Sequence, residues 1–307
     1  MTMVHGGSRG PMMSDGKSRD AAPVLAQKKL GRRRFLKWGL LSGVGVVVGG
    51  AVDAVLLEPR WVSLTRPVIS IDALPSAWDG VRIAHLTDIH TGRLIGLDYV
   101  RKVVEMTLAQ SPDIIALTGD FVTGVGAITP KLARVLGRLR AAKGQFAVLG
   151  NHDHWADAEG VRSLLNSAGI TLLTNRNVVL EENHEKLCLA GVGDLWEDKQ
   201  LLDAALAGVP EQVPRILLCH NPDYAEAMPS GPRVDLMLCG HTHGGQFKIP
   251  FGPRPQLPVR YAKYAAGLAR GPCCPVYTSR GLGMVGVPIR FNCRPELAII
   301  TLCRARQ

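Results

Sequence analysis

Along residues 81–302, short and largely apolar runs alternate with longer stretches whose apolar positions recur every three or four residues. The runs Val81–Thr87, Ile114–Thr118, Gln145–Leu149, Ile216–Cys219 and Leu236–Cys239 are strand-length and fenced by turn formers, which predicts buried strands. Leu97–Gln110 has helical spacing and is closed by Ser111-Pro112-Asp113. Thr129-Pro130 opens a second helix that Lys143-Gly144 should end. Ala156–Ala168, stopped by Gly169, predicts a third helix, and Leu201–Ala207 a fourth. One edge strand is expected around Val62–Ile71, short strands over 170–192, and closing strands at Val276–Ser279 and Leu297–Leu302. Alternation followed by clustered strands predicts an α/β domain: two packed sheets with helices on both outer faces.

The N-terminus breaks this pattern. Residues 1–30 are rich in Gly, Ser, Met and charge and read as a disordered basic tail. Gly31-Arg32-Arg33-Arg34-Phe35-Leu36-Lys37 resembles a twin-arginine export signal, with Gly31 where Ser or Thr is common. The uncharged stretch Trp38–Val52 follows directly. Residues 31–57 therefore read as a signal, cut near Val52-Asp53-Ala54, or as an anchor of about one bilayer crossing over Trp38–Leu57. Positive charge before the apolar stretch leaves the N-terminus in the cytoplasm and the body on the far side. The expected setting is the outer face of a bacterial inner membrane, reached through the twin-arginine translocation machinery, with the body anchored or released.

Charge narrows the partners. The chain carries a formal +10, but residues 1–37 hold nine basic and two acidic groups. The remaining 270 residues are close to neutral, with 27 basic and 24 acidic groups, so no nucleic-acid partner is expected. Seven dispersed cysteines without a CxxC pair give no disulfide framework and read as small buried hydrophobes, with room for one bond, for example from Cys293.

The chemistry sits where the predicted strands stop. Asp88-Ile89-His90, Gly119-Asp120, Gly150-Asn151-His152-Asp153, Cys219-His220-Asn221 and Gly240-His241-Thr242-His243 each follow an apolar run. Strand-end residues of an open α/β sheet converge on one edge. Asp88 and His90, and likewise His241 and His243, are two apart and would share one face of an extended segment. Carboxylates, imidazoles and one Asn, with no thiolate, suit Mn, Fe, Zn or a mixed pair of divalent ions. Asp120 is the natural bridging carboxylate. Two ions can clamp the attacking and leaving oxygens of an in-line displacement and turn a shared water into hydroxide. His152 reads as a proton donor to the leaving oxygen or a stabiliser of the phosphoryl charge.

In order and spacing these five clusters resemble the motif blocks of the calcineurin-like metallophosphoesterases, over roughly Val81–Leu302. Gly244-Gly245-Gln246-Phe247 and Arg290–Glu296 resemble the membrane-associated bacterial phosphodiesterase branch, whose members often begin with a twin-arginine signal or an anchor. The resemblance implies a four-layer α-β-β-α sandwich of two mixed sheets, the metallo-dependent phosphatase fold, for a catalytic domain over 58–307. It implies one ion on Asp88, His90, Asp120 and His243, a second on Asp120, Asn151, His220 and His241, and His152 as the catalytic histidine. The expected activity is hydrolysis of a phosphodiester or pyrophosphate bond in a lipid-linked or nucleotide-linked substrate near the membrane. Two alternatives stand beside it. One is a UDP-2,3-diacylglucosamine pyrophosphohydrolase-like enzyme, whose cytoplasmic substrate an exported body would not meet. The other is a metal-bound scaffold without turnover.

Outside the clusters, His85 reads as structural, and His154 as a loop residue or a neighbour of Asn151 and His152. Asp153 would cap the following turn or orient His152. His5 and His184 read as solvated. Asp194-Leu195-Trp196 is a candidate wall of the pocket. Phe247–Arg270, with Lys248, Arg254, Arg260, Lys263, Arg270, Phe251, Tyr261 and Tyr264, would bind a phosphorylated head group or form a loop of snorkelling side chains. Arg280 and Arg294 are candidate phosphate contacts.

Overall fold

A computed structural model of the chain describes residues 31–249, 252 and 256–305. The tail over 1–30 with His5, and Phe251 and Arg254, lie outside the described residues. Two compact units meet between Val47 and Val48. The boundary lies within helix α1 (Arg32–Val52), whose apolar side chains are exposed. Among the described residues, α1 with its continuation to Arg60 is the one helix long and apolar enough to cross a membrane.

The second unit starts with β1 (Ser63–Thr65) and β2 (Val68–Ile71), where one edge strand was expected. Pro67 lacks the N–H a continuous ladder needs, so the strand is split. The chain continues through β3 (Arg82–Leu86), α2 (Leu97–Leu108), β4 (Ile114–Thr118), α3 (Pro130–Leu136), β5 (Gln145–Val148), α4 (Asn151–Ser167) and β6 (Thr171–Leu172). A second set follows: β7 (Arg176–Glu182), β8 (Glu185–Gly191), α5 (Leu202–Ala205), β9 (Arg215–Leu218), α6 (Tyr224–Ala227), β10 (Leu236–Cys239), β11 (Gly267–Arg270) and β12 (Pro275–Thr278). Finally β13 (Glu296–Arg304) returns to the first sheet.

Both sheets are mixed. The first runs β1-β13-β3-β4-β5-β6, with β2 also on β13; β3 to β6 are parallel and β13 is antiparallel to β3. The second runs β11-β12-β10-β9-β8-β7, with a parallel centre and antiparallel edges. Period-two alternation sorts the side chains into layers. Ile83, Ile114 and Ala116 of the first sheet meet Ile216, Leu218, Leu236 and Leu238 of the second in a buried layer between them. Ala84, Leu86, Ile115 and Leu117 point the other way, onto α2, α3 and α4. Leu217, Met237 and Cys239 face α5 and α6. This is the expected four-layer α-β-β-α sandwich.

Two helix boundaries depart from the pattern. Helix α3 stops at Leu136, not near Gly144: Gly137 takes the C-cap and the chain turns to bury Leu139. Helix α4 begins at Asn151, five residues before the expected start. It is kinked at Asp157 (φ −178°, ψ 96°), whose Oδ1 accepts the Gly160 N–H and so starts the helical piece that the apolar spacing foretells. All seven cysteines are free, Cys293 included.

Candidate metal centre

Strands β3, β4, β5, β9 and β10 all deliver their carboxyl ends to one edge of the sandwich, and each of the five clusters leaves from one of them. Asp88, His90, Asp120, Asn151, His220, His241 and His243 are all buried there, and His152 is half-buried. The segments carrying them are not extended, contrary to the two-residue spacing argument. Asp88 (φ 52°), His90 (φ 50°), Asp120 (φ 56°), His241 (φ 69°) and His243 (φ 51°) are all left-handed. Asp and His tolerate this region better than most residues, and such strain gathers at functional sites. The turns also run too close for side chains between them: a Cβ on Gly119 would collide with the Gly150 backbone.

The donor atoms form two groups, Asp88/His90/His243 and Asp120/His220/His241, which a third, His90/Asp120/His152, joins. His90 Nε2 lies 3.0 Å from His243 Nε2, and His243 Nε2 lies 3.2 Å from Asp88 Oδ1. On the other side, His220 Nε2 lies 3.2 Å from His241 Nδ1. Asp120 Oδ2 sits between, 3.3 Å from His90 Nε2 and 3.2 Å from His220 Nε2. Its other oxygen, Oδ1, accepts the His152 N–H at 2.9 Å.

These spacings fit cations. Ligand atoms about 2.0–2.2 Å from one ion, at right angles to tetrahedral angles, lie roughly 3.0–3.5 Å apart. His220 Nδ1 lies 2.7 Å from the Thr118 carbonyl and His241 Nε2 lies 3.0 Å from that of Pro258. Each ring nitrogen that donates there leaves the other nitrogen's lone pair aimed at the cluster. Asn151 Oδ1 is buried without a hydrogen-bond partner among the described residues and can serve as an oxygen ligand. With N and O donors only, the set suits hard or borderline divalent ions.

Electrostatics point the same way. Burial opposes charge on Asp120, but His220 and His90 hold its pKa well below the usual carboxylate range. Burial likewise opposes charge on His220, yet Asp120, Asp88 and Asp194 outweigh it and raise its pKa well above the usual value. Burial pulls His241 down to about 3 and His243 to about 4, so both rings are neutral at pH 7 and free to offer a lone pair. Asp88 and Asp120 thus bring carboxylate charge to the cluster, and a cation bound there would displace the proton that they otherwise hold on His220.

Asp153 does what neither of its expected roles foresaw in full. It caps Gly150 N–H at 3.0 Å, and it also accepts Asp120 N–H at 2.8 Å, Phe121 N–H at 2.8 Å and Val122 N–H at 3.3 Å. One buried carboxylate thus ties the loop after β4 to the start of α4. Burial and the nearby Asp120 push its pKa up to about 7, against the backbone donors that favour its charge. Arg290 was also illegible in advance: its fully buried guanidinium donates to the carbonyls of Gly283, Cys293 and Arg280. That braces a loop whose Leu282 and Gly283 N–H groups bond to Thr87 O and Asp88 O.

Other candidates fall elsewhere. His85 Nε2 lies 2.8 Å from Thr118 Oγ1, and burial lowers its pKa to about 4, as suits a structural histidine. His154 joins none of the donor groups, and the His184 side chain is fully exposed. Arg280 Nε is held by Glu296 Oε2 at 3.1 Å, and the Arg294 guanidinium lies 3.6 Å above the Trp61 ring. Trp196 does form a wall, packing edge-on against His241 with ring centroids 4.4 Å apart. A cleft of about 850 Å³ lined by Thr129, Arg134, Arg140 and Ser163 contains none of the converging donors. The chemistry belongs to the donor cluster and not to that cleft.

A sandwich of two mixed sheets with Asp, His and Asn donors gathered at one edge defines a metal-dependent phosphoesterase. The chain belongs to the calcineurin-like phosphoesterase family, which residues 81–245 match. It is 35% identical over 280 residues to phosphodiesterase YaeI of Escherichia coli (strain K12), covering 89% of this chain and 99% of that protein. It is 33% identical over 284 residues to the metallophosphoesterase YkuE of Bacillus subtilis (strain 168), covering 90% and 98%. A transmembrane protein with metallophosphoesterase domain from Danio rerio is 32% identical over 303 residues, covering 94% of this chain and 67% of that one.

Proposed function

We propose that the chain hydrolyses a phosphodiester or pyrophosphate bond with two divalent ions, Mn, Fe or Zn, at this edge. Asp88, His90, Asp120 and His243 would hold one, and Asp120, Asn151, His220 and His241 the other. The observation that carries the reading is the single oxygen Asp120 Oδ2 facing one imidazole of each group at 3.3 and 3.2 Å. Bound there, the ions supply Lewis-acid charge for the phosphoryl oxygens and acidify a water. Asp120 Oδ1 orients the His152 backbone, and the His152 ring stands edge-on to His90 with centroids 4.7 Å apart. His152 is half-exposed at the mouth of the site. Burial lowers its pKa against the pull of Asp120, so its assignment as proton donor to the leaving oxygen rests on its position beside the donor cluster.

Helix α1, which opens on Arg32-Arg33-Arg34 and continues apolar, supports export by the twin-arginine machinery and retention at the outer face of a bacterial inner membrane. A body held there would meet lipid-linked or nucleotide-linked phosphates. The test uses full-length protein in detergent: elemental analysis beside hydrolysis of bis-p-nitrophenyl phosphate. His152→Ala should keep two ions per chain and lose about 10²–10⁴-fold in kcat. Unchanged turnover would remove His152 from the mechanism, and metal without turnover in the wild type would favour the scaffold.

A further inference from the structure

Two tryptophans beside the donor cluster have no role in holding ions. Trp155 is 55% exposed and Trp196 is 49% exposed, whereas Trp78 in the core is fully buried. Their rings are near-parallel, 25° apart, with centroids separated by 6.4 Å. Each touches the site: Trp155 meets His152 at 4.6 Å between centroids, and Trp196 meets His241 at 4.4 Å. The indoles thus bridge the two sides of the centre at its rim.

The pair is held in place. Trp155 Nε1–H donates to Glu197 Oε1 at 2.7 Å, and Glu197 directly follows Trp196. The buried Asp194 accepts the N–H groups of Trp196 and Glu197 at 2.9 and 3.1 Å, and Gln200 Nε2 donates to the Asp194 carbonyl at 2.6 Å. Exposed aromatic surface that is already ordered costs little to use in binding. Acidic groups are prominent around it: Glu197 lies at the edge, and Glu159 at 3.2 Å and Asp198 at 3.8 Å tie down Arg162, with the exposed Lys199 beyond them. A further phosphate is poorly served there. A flat uncharged ring is well served, because stacking tolerates any planar π-face.

The geometry points to Trp155 and Trp196 as a leaving-group subsite that stacks a planar aromatic substituent, of nucleobase type, on the alcohol that departs from the phosphodiester. The assignment to the leaving side rests on the proposed role of His152 as proton donor to that oxygen, since Trp155 is the ring packed on it. The subsite would favour diesters that release a nucleoside over those that release the sugar alone, through binding, since the departing oxygen is the same.

The test compares bis(uridine-5′) phosphate with bis(ribose-5) phosphate on full-length, metal-loaded protein. The wild type should favour the first by about tenfold in kcat/KM. Trp155→Ala and Trp196→Ala should bring the ratio near one, chiefly through KM, and Trp196→Phe should restore most of it. Independently, uridine should quench indole fluorescence in chelator-treated protein, and the double alanine variant should lose that quenching. A wild-type ratio near one with both diesters hydrolysed would overturn the subsite and leave the phosphodiesterase reading intact. Failure to cleave either diester, with quenching retained, would count against that reading and not against the subsite. A preference for choline-bearing diesters that depends on the two indoles would overturn the aromatic assignment in favour of a cation cage.

Discussion

The donor edge and the stretch from Phe247 to Arg270 both mix aromatic rings with charges, yet they handle them in opposite ways. In the described part of the stretch, several charges and rings already have partners. Lys263 Nζ lies 2.5 Å from Glu226 and 4.9 Å above the Tyr264 ring, the Tyr264 hydroxyl donates to Glu226, and Arg260 lies over Tyr261. At the donor edge like meets like: imidazole nitrogens face one another at 3.0 and 3.2 Å, and Asn151 Oδ1 is buried unpartnered. Unspent bonding capacity, not density of charge, distinguishes a reactive place from a solvated one.

Removing the shared oxygen should break this contrast most severely. Asp120→Ala should drain both ions and lower hydrolysis by about 10³-fold or more, read by elemental analysis beside a diester assay. Two retained ions at half the wild-type rate would mean that the two groups are independent. Asp153→Ala removes no atom of the donor cluster, but strands the N–H groups of Gly150, Asp120, Phe121 and Val122. It should cost about 3–5 kcal/mol in denaturant unfolding, with Asp153→Asn in between. A loss under about 1 kcal/mol would show that water replaces the carboxylate freely. The smallest effect belongs to the other region. Lys263→Ala with Arg260→Ala should leave kcat/KM on a soluble diester within about twofold, since exposed pairs contribute little. A tenfold loss would place that stretch in the reaction after all.

The five donor clusters were legible because a buried strand announces itself locally, through uninterrupted apolar runs such as Ile114–Thr118, and the donors follow at once. The sheet order and the layers follow from the same signal. The left-handed backbone at Asp88, His90, Asp120, His241 and His243 was not legible, because contacts between distant loops impose it. Helix α4 hid its start because Gly150 and Asp153 supply the cap without a Ser or Thr. Glu58 was likewise silent. It is buried and accepts the N–H groups of Asn292 and Cys293, more than 230 positions away. Trp155 precedes the helix that the spacing predicts and carries no signal of its own, and only the fold brings it against His152 and Trp196.

Loops at strand ends are ordinarily where homologous chains gain and lose residues most freely. The Asp153 carboxylate withdraws that freedom from two of them. Its grip on Gly150, Asp120, Phe121 and Val122 sets a fixed count of residues on either side. Adding or deleting one between Gly119 and Val122, or between Gly150 and Asp153, would pull Asp120 away from Asn151. The exposed hairpin tip at Asn183-His184 carries no such restraint. Length variation, tags and inserted reporters belong there, while the two tethered turns can change only by exchange of one side chain for another.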